Sequence, residues 1–547
     1  MGVGMKNNNI LFYLIIILLC GGIYFHTLFF NFTYLDDYQL IVGNYYFNKN
    51  LANIPLTFLK GVFKGVFRAP DITLYRPIMN ILFILEAQVG NKEPLVYHLT
   101  NVVLHLIASC LLFSLLLKLK YDKALSLLFS LIFALHPALT CNVAWIPGRN
   151  DILLAIFTLL WFTAFINFSI LNTSSWLYFL LQEIFFLLAV FTKETALFIP
   201  IIGILFLILN RKKLLSKKNI LLYIVWVATI SLWLVLRCNA LTNSNAIQLS
   251  AMKQLLYVVP IALVQYIGKM LLPIHLSPLP TIKDTPIIYG IISILLLLAA
   301  IFTTKKFYSV NLILGLSWVI LFLLPPFMVY LSNYGILTEN RLYMPLIGVI
   351  MILLETDLVK NISKKKAVLV SIFLPIIAAF SITTYKYSTV FRDKITFWEY
   401  AVKTSPHLTL AHRNLGAMYH MEGLLEKAEK KYKDALSLDP NEVMVHNNLG
   451  LIYMKRGLYK EAEEEFKKEL LLNPMFDIAH YNYGLLCLQM GRLKEAEYFL
   501  KKTLELNPEY IDALQLLINY YSYMGDYNQA RYYAEKLKSL GIQVPQR

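Results

Sequence analysis

The sequence predicts an all-α chain in two parts: a polytopic helical membrane domain over residues 1–393 and an α-solenoid of helical repeats over residues 394–547. Three observations carry this reading. Hydrophobic residues make up 58% of the 547 and charged ones 15%, with a mean hydropathy of +0.57, more apolar side chain than a soluble protein of this size can hide. Those residues run in long stretches from Ile10 to about Tyr385, after which the chain turns charged and amphipathic. In that last region glycine and proline recur at a fixed interval.

The net charge of +16 does not indicate nucleic acid. The lysines cluster in RKKLLSKK (211–218), TTKK (303–306) and SKKKA (363–367), short connections between apolar runs. That is the pattern of cytoplasmic loops, and anionic membrane lipids are sufficient partners for it. No basic stripe interleaved with aromatics is present. Cys20, Cys110, Cys141, Cys238 and Cys487 show no metal spacing and read as small hydrophobes, with a Cys141–Cys238 bridge as the alternative if both face one outer compartment. The first apolar run lacks a small-residue cleavage signal and reads as a retained anchor.

A membrane-crossing helix needs about 20 apolar residues. Candidate spans fall near 9–30, 97–117, 124–140, 152–170, 176–192, 195–210, 219–237, 254–272, 287–303, 309–331, 341–356 and 367–386. Placing KLKYDK (118–123) and the three basic connections inside tests this set. Three runs lie between RKKLLSKK and TTKK, where a return to the same side needs an even number. The run 254–272, followed by PIHLSPLP (273–280), is therefore expected to be re-entrant or interfacial. About 11 spans then put the repeats outside the membrane, whereas twelve would put them in the cytoplasm.

One long outer loop, 31–94, follows the first span. It carries six Lys/Arg, although long loops obey the charge rule poorly. FLKGVFKGVF (58–67) and LYRPIMNILFILEAQVG (74–90) read as amphipathic helices lying on the membrane surface.

The repeat is strong. Gly423, Gly457, Gly491 and Gly525 are 34 residues apart, as are Pro440, Pro474 and Pro508. Glycine suits the tight helix–helix turn, and Ala428, Ala462, Ala496 and Ala530 allow close packing. These are tetratricopeptide repeats, near 411–444, 445–478, 479–512 and 513–546, with ITFWEYAVKTSPH (395–407) resembling half of another. Such arrays form a groove for a peptide or protein partner, which indicates binding and not chemistry.

Ionisable residues at span ends are functional candidates by default. Four sites qualify: Asp36/Asp37 after the first span; Arg149 and Asp151 in HPALTCNVAWIPGRND (136–151); Lys193 and Glu194 in FTKETALF; and Glu339, Arg341 and Tyr343 in LTENRLYMP (337–345). Eleven crossings put all four on the outer face. Each also has a plainer role: an aspartate can cap a helix end, Asp151 can sit in a helix first turn, Lys193 can snorkel, and Arg341 can bind headgroups. His98, His105 and His136 read as packing residues. NFT (31–33) and NTS (172–174) match the glycosylation pattern, but neither is read as an acceptor. Together the sites place carboxylates beside basic groups at a bilayer surface. A carboxylate can take a hydroxyl proton, and Arg or Lys can neutralise a phosphate leaving group. No cluster demands a metal, so a divalent ion is unsupported and no cofactor is assigned.

YLDDYQLI, YRPIMNILFILEAQVG…YHLTNVVLHL (75–106), LHPALTCNVAWIPGRNDILLAIF (135–157), TKE (192–194) and ENRLYMPLIG (339–348), followed by the repeats, resemble the transmembrane-and-tetratricopeptide-repeat O-mannosyltransferase family. Its relatives are the protein O-mannosyltransferases of the type C glycosyltransferase superfamily. The resemblance implies an enzyme that moves a monosaccharide, with inversion, from a polyprenyl-phosphate donor to a hydroxyl acceptor such as protein Ser/Thr or a glycan on the outer face. The catalytic base carries over onto Asp36 or Asp37, with Asp36 preferred, and a second acid onto Asp151. Arg149, Lys193 and Arg341 would serve the donor phosphate, supported by Arg76, Glu194, Glu339 and Tyr343. One departure stands out: Asn340 intervenes between Glu339 and Arg341, where the family more often has Glu directly before Arg. A prokaryotic plasma membrane with outer repeats is the expected location, and an endoplasmic reticulum membrane with luminal repeats the alternative. An oligosaccharide ligase or polymerase would carry its large loop late in the membrane domain, and a non-catalytic scaffold would leave the acids dispersed and exposed.

Overall fold

A computed structural model of the chain describes residues 9–62, 74–170, 176–241, 249–302, 304, 309–323 and 335–540. The described residues form helices joined by turns, with one isolated bridge between Thr281 and Ile336. The chain divides into two compact units, Met1–Ser405 and Pro406–Arg547.

Among the described residues of the first unit five helices are long and apolar enough to cross a membrane: Ile10–Phe29, Pro94–Lys118, Ile146–Ser169, Lys217–Ala240 and Lys366–Phe391. Two further pairs meet at bends, Lys123–Ala134 with Pro137–Ala144 at 50° and Glu339–Glu355 with Asp357–Ser363 at 68°. The first bend has a local cause. Pro137 excludes helical backbone from the residue before it, and His136 is extended at φ −70°, ψ 121°. Shorter apolar helices complete the set, Trp176–Thr192, Glu194–Leu209, Tyr257–Leu271, Ile288–Phe302 and Val310–Leu323 among them. Many apolar side chains face outward, such as Leu18, Val227 and Leu374, a surface suited to lipid and not to water. The protein is a multi-pass membrane protein.

Two helix crossings bring backbones together through glycine. A methyl on Gly348 would lie 2.7 Å from Gly315 O, and one on Gly290 would lie 2.1 Å from Val264 O. Small residues at such crossings let membrane helices pack where no hydrophobic force drives them. An aromatic core of Trp161, Phe165, Phe206 and Trp226 fills the space beside Gly203.

The helix Leu249–Leu271 is continuous through Pro260, and PIHLSPLP follows it as irregular chain apart from the start of the Thr281 bridge region. Residues 58–62 close a short 3-10 turn, Pro55–Phe58, so no amphipathic helix begins there; the rest of FLKGVFKGVF lies outside the described residues, as does NTS (172–174). The helix Pro77–Gly90 does form, with Met79, Phe83, Ile84 and Ala87 buried and Val89 exposed. All five cysteines are free, so Cys141 and Cys238 are not bridged. The helix Lys394–Thr404, read in sequence as half a repeat, belongs to the first unit.

The described residues of the second unit form four helical hairpins. Their paired helices are Thr409–Met421 with Leu425–Leu438, Val445–Lys455 with Tyr459–Leu472, Asp477–Gln489 with Leu493–Leu506, and Ile511–Tyr523 with Tyr527–Ser539. The four turn glycines lie at φ +73° to +77° with nothing near the missing side chain. They are required for backbone conformation, not for space. Gly416 and Gly450 differ, since a methyl there would strike Tyr432 or Phe466 at 2.7 Å.

Candidate active site

The two adjacent aspartates divide their tasks. After the first helix the chain turns through Thr33 and Tyr34, and Asp37 locks that turn. Its Oδ2 accepts Thr33 N (2.8 Å) and Thr33 Oγ1 (2.9 Å), while its Oδ1 accepts Tyr34 N (2.9 Å) and Tyr38 N (2.8 Å). The side chain is buried and its acceptor capacity is engaged; burial pushes its carboxyl upward and these bonds oppose the shift. Asp36 is half-buried, and no hydrogen bond or ion pair joins its carboxylate to another described residue. Loss of water around it, then the nearby Asp37 charge, raise its carboxyl from the ordinary 3.8 to about 7, with Arg76 opposing. Tyr34 adopts φ +61° in this turn, a conformation that costs a non-glycine residue roughly 1–2 kcal/mol.

Arg76 precedes the helix Pro77–Gly90 and reaches Glu194 at 3.5 Å. Glu194 follows Lys193 in the bend between Trp176–Thr192 and the next apolar helix. The Lys193 ammonium, 8% exposed, donates to Asp151 Oδ1 at 2.6 Å; burial lowers its pKa and Asp151 counters that. Asp151 sits in the first turn of Arg149–Ile170, where the helix dipole favours a carboxylate. Its second oxygen accepts Asn340 Nδ2 at 3.1 Å. Thus Asp36, Arg76, Glu194, Lys193, Asp151 and Asn340 form a chain of electrostatic neighbours drawn from five separate segments.

The segment carrying Arg149 and Asp151 is held tightly. Residues 137–148 fold as three short turns, Pro137–Leu139, Thr140–Ala144 and Ile146–Gly148. Gly148 lies so close to its neighbours that a methyl would sit 2.6 Å from Cys141 O. From the helix Pro94–Lys118, Asn101 Nδ2 faces the carbonyls of Val143, Trp145 and Ile146 at 3.1–3.2 Å.

Three expected site residues serve this scaffold. Arg149 is fully enclosed: Nη1 donates to Glu86 Oε2 (2.6 Å), Nη2 to Tyr97 O (2.8 Å) and Nε to Ile146 O (3.1 Å), with the guanidinium over the Phe83 ring. No face remains for a phosphate. Glu339 accepts Lys269 Nζ (2.6 Å), Ser277 N (2.9 Å) and Tyr387 Oη (2.9 Å) and is also fully buried. Tyr343 Oη donates to His105 Nδ1 at 2.7 Å, whose Nε2 donates to Ala134 O. His136 is likewise bonded, to Met270 O and Ala138 N. His98 is enclosed beside the Phe30 ring.

Glu339, Asn340 and Arg341 lie on one 3-10 turn, so successive side chains diverge by about 120°. Glu339 points to Lys269, Asn340 to Asp151, and Arg341 to the Tyr266 hydroxyl. The departure from the family pattern therefore supplies the residue that touches Asp151. Sequence reasoning missed Glu86 and Lys269; their signal was a lone charge within an apolar helix, which requires a partner. Among the described residues no group of three His, Cys, Asp or Glu side chains is suited to hold a metal.

Tetratricopeptide-repeat family models match residues 416–457 and 447–511. The protein O-mannosyl-transferase TMTC3 of Homo sapiens is 31% identical over 167 residues, 29% of this chain and 17% of its own. A protein O-mannosyl-transferase of Caenorhabditis elegans is 24% identical over 392 residues, 67% of this chain and 54% of its own. That match exceeds the second unit in length and so extends into the membrane unit. The chain thus spans a sixth to about half of these relatives. Among solved structures, MamA is 24% identical over 27% of this chain and 85% of its own, at a TM-score of 0.25. The repeats and these relatives together identify the chain as similar to the transmembrane-and-tetratricopeptide-repeat O-mannosyltransferase family.

Proposed function

We propose that the protein is a glycosyltransferase that moves one sugar from a polyprenyl-phosphate donor to a hydroxyl acceptor, with inversion at the anomeric carbon. The observation that carries this reading is the division of labour at Asp36 and Asp37. One carboxylate spends its hydrogen bonds fixing the turn, while its neighbour is unpaired among the described residues, poised near neutral pH and beside a cation. A general base works best with its pKa near the operating pH.

In the reaction Asp36 takes the acceptor hydroxyl proton as the acceptor oxygen bonds the anomeric carbon. The bond from that carbon to the phosphate oxygen breaks, its electron pair leaves with the phosphate, and polyprenyl phosphate departs. Arg76, Lys193 and Arg341 are the cations we assign to that developing charge. Asp151 holds Lys193, and Asn340 holds Asp151. Arg149 acts through the loop it anchors. The human and nematode relatives' names favour mannose and a protein acceptor, and the repeat groove is the natural place for an acceptor chain. We assign the site to the outer face, in keeping with an odd number of crossings. A scaffold would have left its acids dispersed, whereas Asp37, Asp151 and Glu339 are buried and bonded.

The test uses the full chain in lipid nanodiscs with polyprenyl-phosphate mannose and a Ser/Thr-rich peptide. Asp36→Asn is expected to lower kcat by about 10²–10⁴-fold with the donor KM little changed. Wild-type kcat should rise with pH to a plateau above about 7, since the base acts only when deprotonated. Wild-type turnover by Asp36→Asn would sink the assignment.

A further inference from the structure

The turn that carries Asp36 is braced by an element far away in sequence. Just before the helix Lys394–Thr404, Arg392 O accepts Asn31 N at 2.8 Å. The Lys394 ammonium lies 4.9 Å from the centre of the Tyr34 ring, which is stacked on Tyr38 at 4.2 Å. Trp398 is fully buried and donates from Nε1 to Thr33 O at 3.0 Å. Thr33 is the residue whose N–H and hydroxyl both bind Asp37.

The other end of the same helix reaches the opposite side of the site. Thr404 Oγ1 and Ser277 Oγ share a hydrogen bond at 2.7 Å, and Ser405 Oγ donates to Leu279 O at 2.7 Å. Ser277 N in turn donates to Glu339, whose neighbour Asn340 holds Asp151. Eleven residues of helix measure roughly 16 Å, so one rigid rod connects the anchor of the Asp36 turn to the anchor of the Asp151 contact.

A buried tryptophan is ordinarily a packing residue. Here its one polar atom is aimed at the turn that contains Tyr34 at φ +61°, and such a backbone persists only where its surroundings over-determine it. We propose that Trp398 is a positioning residue of the transfer site and that the helix Lys394–Thr404 sets the separation between Asp36 and the Asp151–Asn340 pair. This rests on Asp36 being the base. Without the Nε1–H the turn is free to relax, Asp37 shifts with Thr33, and Asp36 leaves its place against the acceptor oxygen. Misplacement of a reacting group by about 1 Å can cost 10²-fold.

Trp398→Phe removes the donor and keeps an aromatic ring in the core. In full chain in nanodiscs, with polyprenyl-phosphate mannose and the same peptide, it is expected to lower kcat about tenfold or more, to leave the donor KM unchanged, and to move the inflection of the pH–kcat profile. A merely structural tryptophan would lower the folded fraction without moving that inflection. Folded Trp398→Phe with wild-type kcat and profile overturns the inference. Should that variant not fold, Lys394→Met decides: a lower kcat with a moved inflection supports the brace, and wild-type values overturn it. Asp36→Asn runs in parallel. Its turnover at the wild-type rate would remove the base reading and the brace with it, whereas an inactive Asp36→Asn beside a normal Trp398→Phe removes the brace alone.

Discussion

Arg456 and Arg149 show how differently the two units hold a charge. In the repeat unit Arg456 bridges to Glu429 at 2.5 Å and Glu426 at 3.1 Å on the preceding hairpin, with its side chain 25% exposed. Arg492 does the same one repeat later, to Glu463. In the membrane unit Arg149 is wholly enclosed against Glu86, and Lys193 and Lys269 each have one buried carboxylate. Surface pairs of the first kind contribute about 0–1 kcal/mol each and are interchangeable along the array. Enclosed pairs are not interchangeable, because removing one partner strands the other. In this setting Asp36, whose carboxylate has no hydrogen-bond or ion-pair partner among the described residues, departs from the local pattern, and the proposed role as base gives that departure a use.

Substitutions can break or sharpen this contrast. The largest stability effect is expected at Glu86→Gln, which leaves Arg149 as an uncompensated buried cation and should cost about 3–5 kcal/mol. Chemical denaturation in detergent measures it, and a loss under 1 kcal/mol would place Arg149 in the same class as Arg456.

Asp37→Asn comes next. An amide replaces one oxygen that accepts two donors, so roughly 2–4 kcal/mol should be lost. Asp36→Asn should move stability the other way. Its carboxyl is raised from 3.8 to about 7, so the folded state binds that proton more tightly than the unfolded chain. The resulting stability is fully present below pH 3.8 and is lost as pH rises through 7. The asparagine variant, free of that loss, should melt higher than wild type at pH 8 and not at pH 4. Opposite signs for neighbouring aspartates would show that one builds the turn and the other does not.

The smallest effect is expected in the repeats. Gly457 at φ +74° has open space around its missing side chain, so Gly457→Ala should cost only the backbone conformation, about 1 kcal/mol. Thermal melting of the full chain reads it.

The parts legible in the sequence were those written locally. Apolar runs announced the helices, and a 34-residue interval announced hairpins, because each hairpin turn needs its own glycine. The two aspartates were not separable, since their difference lies in which carboxylate collects the N–H groups of Thr33, Tyr34 and Tyr38. Arg149 was read as serving the donor phosphate and Glu339 as a support because their partners Glu86 and Lys269 lie 63 and 70 residues away, beyond any periodicity. The hydrogen bond of Asn340 to Asp151 spans 189 residues. Pairings of that kind depend on how helices cross, and spacing alone carries no trace of them.

The contact between Gly315 and Gly348 fixes how near one helix lies to another in the apolar interior. Asn340 lies on the 3-10 turn that leads into the helix carrying Gly348, about 13 Å from it along the axis by helical rise. Because Asn340 rides on that segment, the crossing helps to set its place beside Asp151. Two glycines with no polar side chain to offer thus act as a dimensional reference for a carboxylate they never touch. A side chain at either position would therefore be felt at the Asp151–Asn340 contact as well as in the packing at the crossing.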